Sequence, residues 1–247
     1  MGNSDRSGTH LFARSESLLK LTRGERIYVW DSEGRRYIDG SSGPVCIGIG
    51  HGVKEITEAA TKQMTKISFA HSSHFTTESV IDCAEKLAKF SPFTLKHVFF
   101  TSGGSEATEA AAKMARQYHL ENGEKSRYKI IARWQSYHGN TLGALSMSGN
   151  IPRRRKYVPM LIDFPHIPPA YCYRCWYGKT CDDCDRDCAR ALETEIRAQS
   201  PEHVSAFIAE PVVGATLGTV PAPDGYFQII REICDKYGVL FIADEVM

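Results

Sequence analysis

Two apolar runs of this chain end in acid: Phe207-Ile208-Ala209 leads into Glu210, and Phe241-Ile242-Ala243 into Asp244-Glu245. A carboxylate at the end of a buried strand is costly unless something cationic meets it. Upstream, Thr101-Ser102-Gly103-Gly104-Ser105 stands between another apolar run and a helix-patterned segment. Glycines let the backbone approach an anion, a helix start offers free N–H groups and the positive end of the dipole, and Ser105 adds a hydroxyl. The same residues also fit a tight turn with Ser105 as a helix cap. The segment has neither the Gly-x-Gly-x-x-Gly spacing of a dinucleotide fingerprint nor the lysine of a nucleotide-triphosphate loop, so a single phosphate suits it best. Two such acids downstream of a phosphate seat suggest one crevice that holds a cationic ring system. Trp134-Gln135-Ser136-Tyr137-His138-Gly139 puts aromatics where they could stack on a flat ring, or simply pack on their own domain.

Five of the eight cysteines fall between Cys172 and Cys188, spaced C-x2-C-x5-C-x2-C-x3-C. Paired C-x2-C units signal zinc, and Cys172, Cys175, Cys184 and Cys188 are the candidate ligands. The gap between the pairs is shorter than in common zinc modules, so reduced thiols and a redox disulfide stand as alternatives. Cys46, Cys83 and Cys234 are isolated in apolar contexts, where cysteine is usually a small core residue. Gly178-Lys179-Thr180 supplies a GKT, but Tyr173 stands where a phosphate-binding loop needs its first glycine, so a P-loop nucleotidase is a remote reading.

A net charge of +1 gives no electrostatic case for nucleic acid or a membrane surface as partner. Arg153-Arg154-Arg155-Lys156 reads as a solvated basic run. No stretch approaches the ~20 apolar residues of a membrane span, and the polar N-terminus lacks a signal-peptide core. A cytoplasmic protein is the expectation.

The elements that must position these groups alternate. A β-hairpin is predicted over 26–30 and 36–39, then a glycine-rich loop, then helices over 53–66 and 78–90. Strands are predicted at 97–101, 128–132, 204–209 and 239–243, and helices at 105–119, 140–148, 189–198 and 226–237, with an irregular region over 149–187. This is an α/β pattern with a mostly parallel sheet. The chain stops at Met247 directly after a strand-like run, which leads us to expect the front part of a longer enzyme.

Together these segments resemble the class III pyridoxal-phosphate-dependent aminotransferases. Gly103-Gly104-Ser105-Glu106-Ala107-Thr108-Glu109-Ala110 is similar to the family's phosphate-binding turn, Tyr137-His138-Gly139 to its ring-stacking loop, Glu210-Pro211-Val212 to its mid-domain acid motif, and Ala243-Asp244-Glu245-Val246-Met247 to the start of its pyridine-binding motif. Gly50-His51-Gly52 also matches, so the resemblance runs from about residue 25 onward. It implies the large domain of fold type I over 61–247, incomplete and carrying a cysteine-rich insert at about 170–188, with 1–60 as part of the small domain. It implies pyridoxal 5'-phosphate as cofactor. Gly104 and Ser105 would hold its phosphate, with Tyr137 and His138 in the ring-stacking loop and Val246 against the opposite face. Asp244 would meet the pyridine nitrogen, and Glu210 is the further catalytic acid. Val45 would line the donor pocket. The family's Schiff-base lysine follows this aspartate by some tens of residues, and no lysine of this chain matches it. The implied reaction moves an amino group from an amine or amino acid, possibly an ω-amino donor, to a 2-oxo acid. The implied assembly is a homodimer, with the segment from Phe69 to Phe75 as a contact. A catalytically incomplete fragment acting as a subunit partner, and an aminomutase or decarboxylase on the same scaffold, are the alternatives.

Overall fold

The computed structural model of the chain describes residues 18–92 and 94–247, so the extreme N-terminus lies outside it. Two compact units form, one reaching to His97 and one spanning Val98–Met247. The helices at Lys54–Lys66 and Glu78–Phe90 bury none of their residues.

In the first unit, β1 (Leu21–Glu25), β2 (Tyr28–Asp31) and β3 (Arg36–Ile38) form an antiparallel sheet in that order. β1 lies in a stretch where no element was predicted. It has no clean alternation and a register shift between Leu21 and Arg23, so only its ladder with β2 defines it. The glycine-rich loop is tied to this sheet where Arg26 and His51 exchange backbone hydrogen bonds, each 2.8 Å. The four-residue turn α1 (Ser42–Val45), α2 (Lys54–Lys66) and α3 (Glu78–Phe90) follow.

The second unit carries α4 (Gly104–Glu121), β4 (Lys129–Arg133), α5 (Leu142–Met147), the single turn α6 (Ile151–Arg154), β5 (His166–Ile167), α7 (Asp187–Ala198), β6 (Val204–Ala209), the paired β7 (Val212–Val213) and β8 (Val220–Pro221), α8 (Tyr226–Tyr237) and β9 (Leu240–Ala243). β5, β4, β6 and β9 form a parallel sheet in that order. Every residue of β6 is buried, as expected of a central strand covered on both faces. Alternation assigns the faces. Ile131, Phe207 and Ala209 pack with Leu192 and Ile196 of α7 and Ile230 of α8. Ile130, Ala132, Ala206 and Ile208 pack with Ala115 of α4 and Met147 of α5. The strand predicted at 97–101 is not formed. Phe99 is 71% exposed and no described strand pairs with this segment, so its apolar pattern has no ladder to join. No helix among the described residues is long and apolar enough to cross a membrane.

The turn between β2 and β3 is organised by Asp31. Its Oδ1 accepts from the N–H groups of Glu33 and Arg35, both at 2.9 Å, and its Oδ2 from Arg35 Nε at 3.0 Å and Tyr37 Oη at 2.8 Å. Burial pushes this carboxyl up, but the hydrogen bonds from Tyr37, Arg35 and Glu33 outweigh it and hold the group at about 2. A depressed acid lends stability that is complete above its unfolded value and lost as pH falls through the folded one. Amide-exchange protection of the 28–38 hairpin should therefore persist down to about pH 4, the unfolded range of an aspartate, and fade towards about pH 2. Asp31→Asn should reduce that protection already at neutral pH; equal protection in the variant would remove Asp31 from this role.

Candidate active site

The parallel sheet sets the site. Its carboxyl end is where an open α/β fold opens a crevice. β6 delivers Glu210 there, β9 delivers Asp244, and the loop after β4 brings Tyr137, His138 and Gly139. A cavity of about 220 Å³ is lined by Gly104, Ser105, Tyr137, His138, Gly139, Asp244 and Val246. The structure thus brings six of the residues singled out in the sequence around one void.

One wall is the start of α4. Gly103 is its N-cap, in extended backbone at φ −172°, so Ser105 sits inside the first turn and is not the cap. The Ser105 hydroxyl donates to Asn140 Oδ1 at 3.2 Å and accepts from the Asn140 N–H at 3.0 Å. Thr108 Oγ1 donates to the His138 carbonyl at 2.7 Å and ties the helix to the same loop. Asn140 and Thr108 went unassigned in the sequence because nothing in their spacing marks them. Side-chain volume is excluded at two glycines. A Cβ on Gly104 would meet both γ-methyls of Val246 at 3.2 Å. Gly139 holds φ +135°, and a Cβ there would overlap Ser105 Oγ and stand 2.8 Å from Ala144 Cβ.

The opposite wall is acidic. Asp244 is only 8% exposed, and its Oδ2 faces His138 Nδ1 at 2.7 Å while Oδ1 accepts from the Val246 N–H at 3.3 Å. His138 is buried and its N–H donates to Ser148 Oγ at 2.7 Å. Its Nε2 is buried without a partner among the described residues. Glu210 is also buried but does not line the cavity. It accepts from the N–H groups of Tyr137 at 3.2 Å and Gly214 at 3.4 Å. Burial pushes its carboxyl above the usual range, with His138, these N–H groups and Arg133 pulling against that. Arg133 is buried too. It donates to the Glu210 carbonyl and lies 5.6 Å over the Tyr226 ring.

The aromatic residues divide their tasks. Trp134 stacks on His166 at 4.5 Å and lines no part of the cavity. Tyr137 does line it, and the Arg153 guanidinium lies 4.4 Å from its ring centroid. Arg153 therefore has a defined contact that its reading as a solvated basic residue missed. Val45 lies in the N-terminal unit, 59% exposed and at φ +61°. Phe69 and Phe75 are in the same unit and exposed.

The expected zinc quartet is corrected. Among the described residues no group of three or more histidine, cysteine or acidic side chains is arranged to hold a metal. The Arg186 guanidinium stands 3.5 Å from Cys184 Sγ and donates to the Cys181 carbonyl at 2.7 Å. Burial pushes the Cys172 and Cys188 thiols up to about 11. The GKT segment has no strand before it, and Lys179 is spent on Asp187 at 2.7 Å, so it forms no phosphate loop.

The close approach at Gly139 yields a stability test. Gly139→Ala combines a strained positive φ with an overlap in a packed wall, so denaturant unfolding should show a loss of about 2–4 kcal/mol. An unchanged midpoint would show that the loop and α4 can separate freely.

Comparison with known proteins extends this geometry. The sequence profile described as "Aminotransferase class-III" matches residues 11–247. The uncharacterized aminotransferase YodT of Bacillus subtilis (strain 168) is 40% identical over 89% of this chain and 49% of its own length. The putrescine–pyruvate aminotransferase of Pseudomonas aeruginosa is 38% identical over 92% of this chain and 50% of its own. Among solved structures, an (S)-enantioselective omega-transaminase from Thermomicrobium roseum superposes with a TM-score of 0.88 at 38% identity, covering 95% of this chain and 54% of that one. An omega-transaminase from Pseudomonas jessenii in complex with PMP gives 0.86 at 34% identity, covering 92% and 50%. The chain spans about half the length of the curated relatives it matches. The architecture is that of the fold type I transaminases, and the chain belongs to the class III aminotransferase family.

Proposed function

We propose that the chain carries the cofactor-binding face of an aminotransferase, with pyridoxal 5'-phosphate in the cavity between α4 and Asp244. The observation that carries this reading is the pairing of opposite chemistries across one void. On one side is the N-terminal turn of α4 with the Ser105 hydroxyl, which also bonds Asn140, and on the other a buried carboxylate backed by a histidine. That donor set fits a phosphorylated pyridine. The N–H groups at the start of α4 and Ser105 would hold the phosphate. Tyr137 would cover one ring face and Val246 the other. Asp244 would hold the proton of the ring nitrogen, with His138 keeping Asp244 in place. Glu210 acts one step back, bracing the Tyr137 backbone. When bound, the cofactor supplies an electron sink for the bonds of the amine carbon.

The substrate class follows the relatives. A putrescine–pyruvate aminotransferase, a gamma-aminobutyrate transaminase from Oryza sativa and omega-transaminases all match this chain. An amine or ω-amino donor and a 2-oxo acid acceptor are therefore the proposed pair. Val45 is proposed to line the donor side, 61–247 to belong to the large domain, and the segment from Phe69 to Phe75 to contact the second subunit of a cytoplasmic homodimer.

Equilibrium titration of pyridoxal phosphate into the purified chain, followed by tryptophan fluorescence and visible absorbance, tests the site. Asp244→Asn should weaken binding about tenfold or more, since a hydrogen bond to a charged group is worth ~1.5–3 kcal/mol and ~1.4 kcal/mol is tenfold. Ser105→Ala should weaken pyridoxal phosphate but leave unphosphorylated pyridoxal unaffected. Equal binding by wild type and Asp244→Asn would overturn the assignment. In the enzyme that carries this chain, an amine with pyruvate should yield alanine. Carbon dioxide release, or turnover without an oxo acid, would identify a decarboxylase or a mutase instead.

A further inference from the structure

The basic run Arg153-Arg154-Arg155-Lys156 begins just where the chain leaves the cavity loop. The Gln135 N–H donates to the Gly149 carbonyl at 2.9 Å, and the Gly149 N–H donates to the Ser136 carbonyl at 3.1 Å, so the segment 135–149 is closed at its neck. A Cβ at Gly149 would overlap the Arg133 carbonyl oxygen, which keeps a side chain out of that neck. The Asn150 side chain then accepts from the Arg153 N–H at 3.1 Å and starts α6, with Pro152 in its first turn. Arg154 fastens this turn to its surroundings. Its Nη1 donates to the Ser146 carbonyl at 2.8 Å, to the Leu145 carbonyl at 3.3 Å and to that of Ser148. These carbonyls close α5, where the last acceptors of a helix lack partners of their own.

That scaffold fixes where Arg153 can reach. Its guanidinium carbon stands 4.4 Å from the Tyr137 ring centroid, while that of Arg154 stands 5.7 Å from the Trp134 ring centroid. Tyr137 lines the cavity and Arg153 does not, so Arg153 covers the ring face turned away from the cavity. The Tyr137 backbone is held separately, its N–H donating to Glu210 at 3.2 Å. Among the described residues its hydroxyl makes no hydrogen bond, so the ring is set by what lies on its faces. A guanidinium over one face is drawn to the negative quadrupole of the ring and leaves the other face open.

We propose that Arg153 is a positioning residue that holds the Tyr137 ring from behind, flat along the cavity wall, so that its inner face is ordered before a planar cationic ring arrives. The proposal rests on the reading of the cavity as a pyridoxal phosphate site. Arg153 itself touches no part of the cavity, so its effect passes through the Tyr137 ring and is indifferent to the phosphate. A lysine can take its place, because either cation is drawn to the ring, whereas a glutamine cannot.

Two measurements on the purified chain test it. The first needs no cofactor. With tyrosine rings labelled with carbon-13 and the Tyr137 signal identified by Tyr137→Phe, Arg153→Gln should shift that signal more than Arg153→Lys does. The second is titration with pyridoxal phosphate and with unphosphorylated pyridoxal. Arg153→Gln should weaken both about two- to fivefold, the equivalent of the ~0.5–1 kcal/mol of an exposed cation–π contact. Arg153→Lys should restore most of that loss, and in a Tyr137→Ala background Arg153→Gln should change nothing further. Arg153 is exposed, so the far-UV circular dichroism of its variants should match that of wild type. A loss confined to pyridoxal phosphate would make Arg153 a charge that attracts the phosphate, and an equal loss without the Tyr137 ring would make it act elsewhere; either result overturns the proposal. A wild-type chain that binds neither compound would remove the proposed function instead, and the Tyr137 signal then decides alone: if Arg153→Gln leaves it unshifted, Arg153 does not hold the ring.

Discussion

A carboxylate held out of water at the end of β9 governs the C-terminal unit. Asp244 continues the ladder, its N–H donating to the Ala209 carbonyl at 3.0 Å, so the side chain cannot swing away from the sheet end. A charge so placed is tolerated only with a partner. The partner comes from β4, which lies two strands away in the order β5-β4-β6-β9. Neighbouring strands are ~4.8 Å apart, so the loop after β4 must cross the end of β6 to reach Asp244. That crossing explains Glu210. It lies at the end of β6, under the crossing, and accepts from the Tyr137 N–H of the loop that passes over it. The two acids therefore have different tasks although their sequence contexts look alike. One faces the cavity, and the other supports the loop that forms its wall.

The crossing loop is fixed at every step. Ser148 holds the His138 N–H, Thr108 holds its carbonyl, and Ser105 and Asn140 join the loop's far end to α4. Small groups make this possible. With any side chain at Gly139 the Ser105 hydroxyl would have to move, and the phosphate-side wall would part from the carboxylate-side wall. The cavity's dimensions thus follow from backbone approach more than from the lining side chains.

Much of this was legible in the sequence, for reasons that also explain the failures. β6 is a continuous apolar run because both faces of the sheet are covered there, and β9 shares the pattern as its half-buried edge neighbour, so both runs stand out. The amphipathic periods of α4, α7 and α8 survive in their buried faces. β5, in contrast, is two residues long and leaves no period to detect. β1 exists because β2 offers it a ladder. The segment 97–101 is the converse, with a strand's composition and no ladder. Contacts that join distant segments were equally invisible. Trp134 on His166 and Arg153 on Tyr137 depend on the chain returning across the sheet end, which residue types alone do not report.

The two units reach order by different means. In the C-terminal unit the core residues of β4, β6, α7 and α8 are buried, and tertiary packing fixes each element. In the N-terminal unit α2 and α3 bury nothing, and Ile56, Met64, Val80 and Leu87 are exposed. Those helices rest on local terms, such as the Thr77 cap that accepts from the Val80 N–H. Local terms are small: a cap is worth ~1 kcal/mol and an isolated helix of about 13 residues is marginal in water. Apolar area left in water forfeits ~25 cal/mol per Å². The hairpin around Asp31 is the firmer part of that unit, because its charge is met by four hydrogen bonds within a few residues. Stability is therefore graded along the chain, highest where the parallel sheet carries the cavity and lowest along the exposed helical faces that precede it.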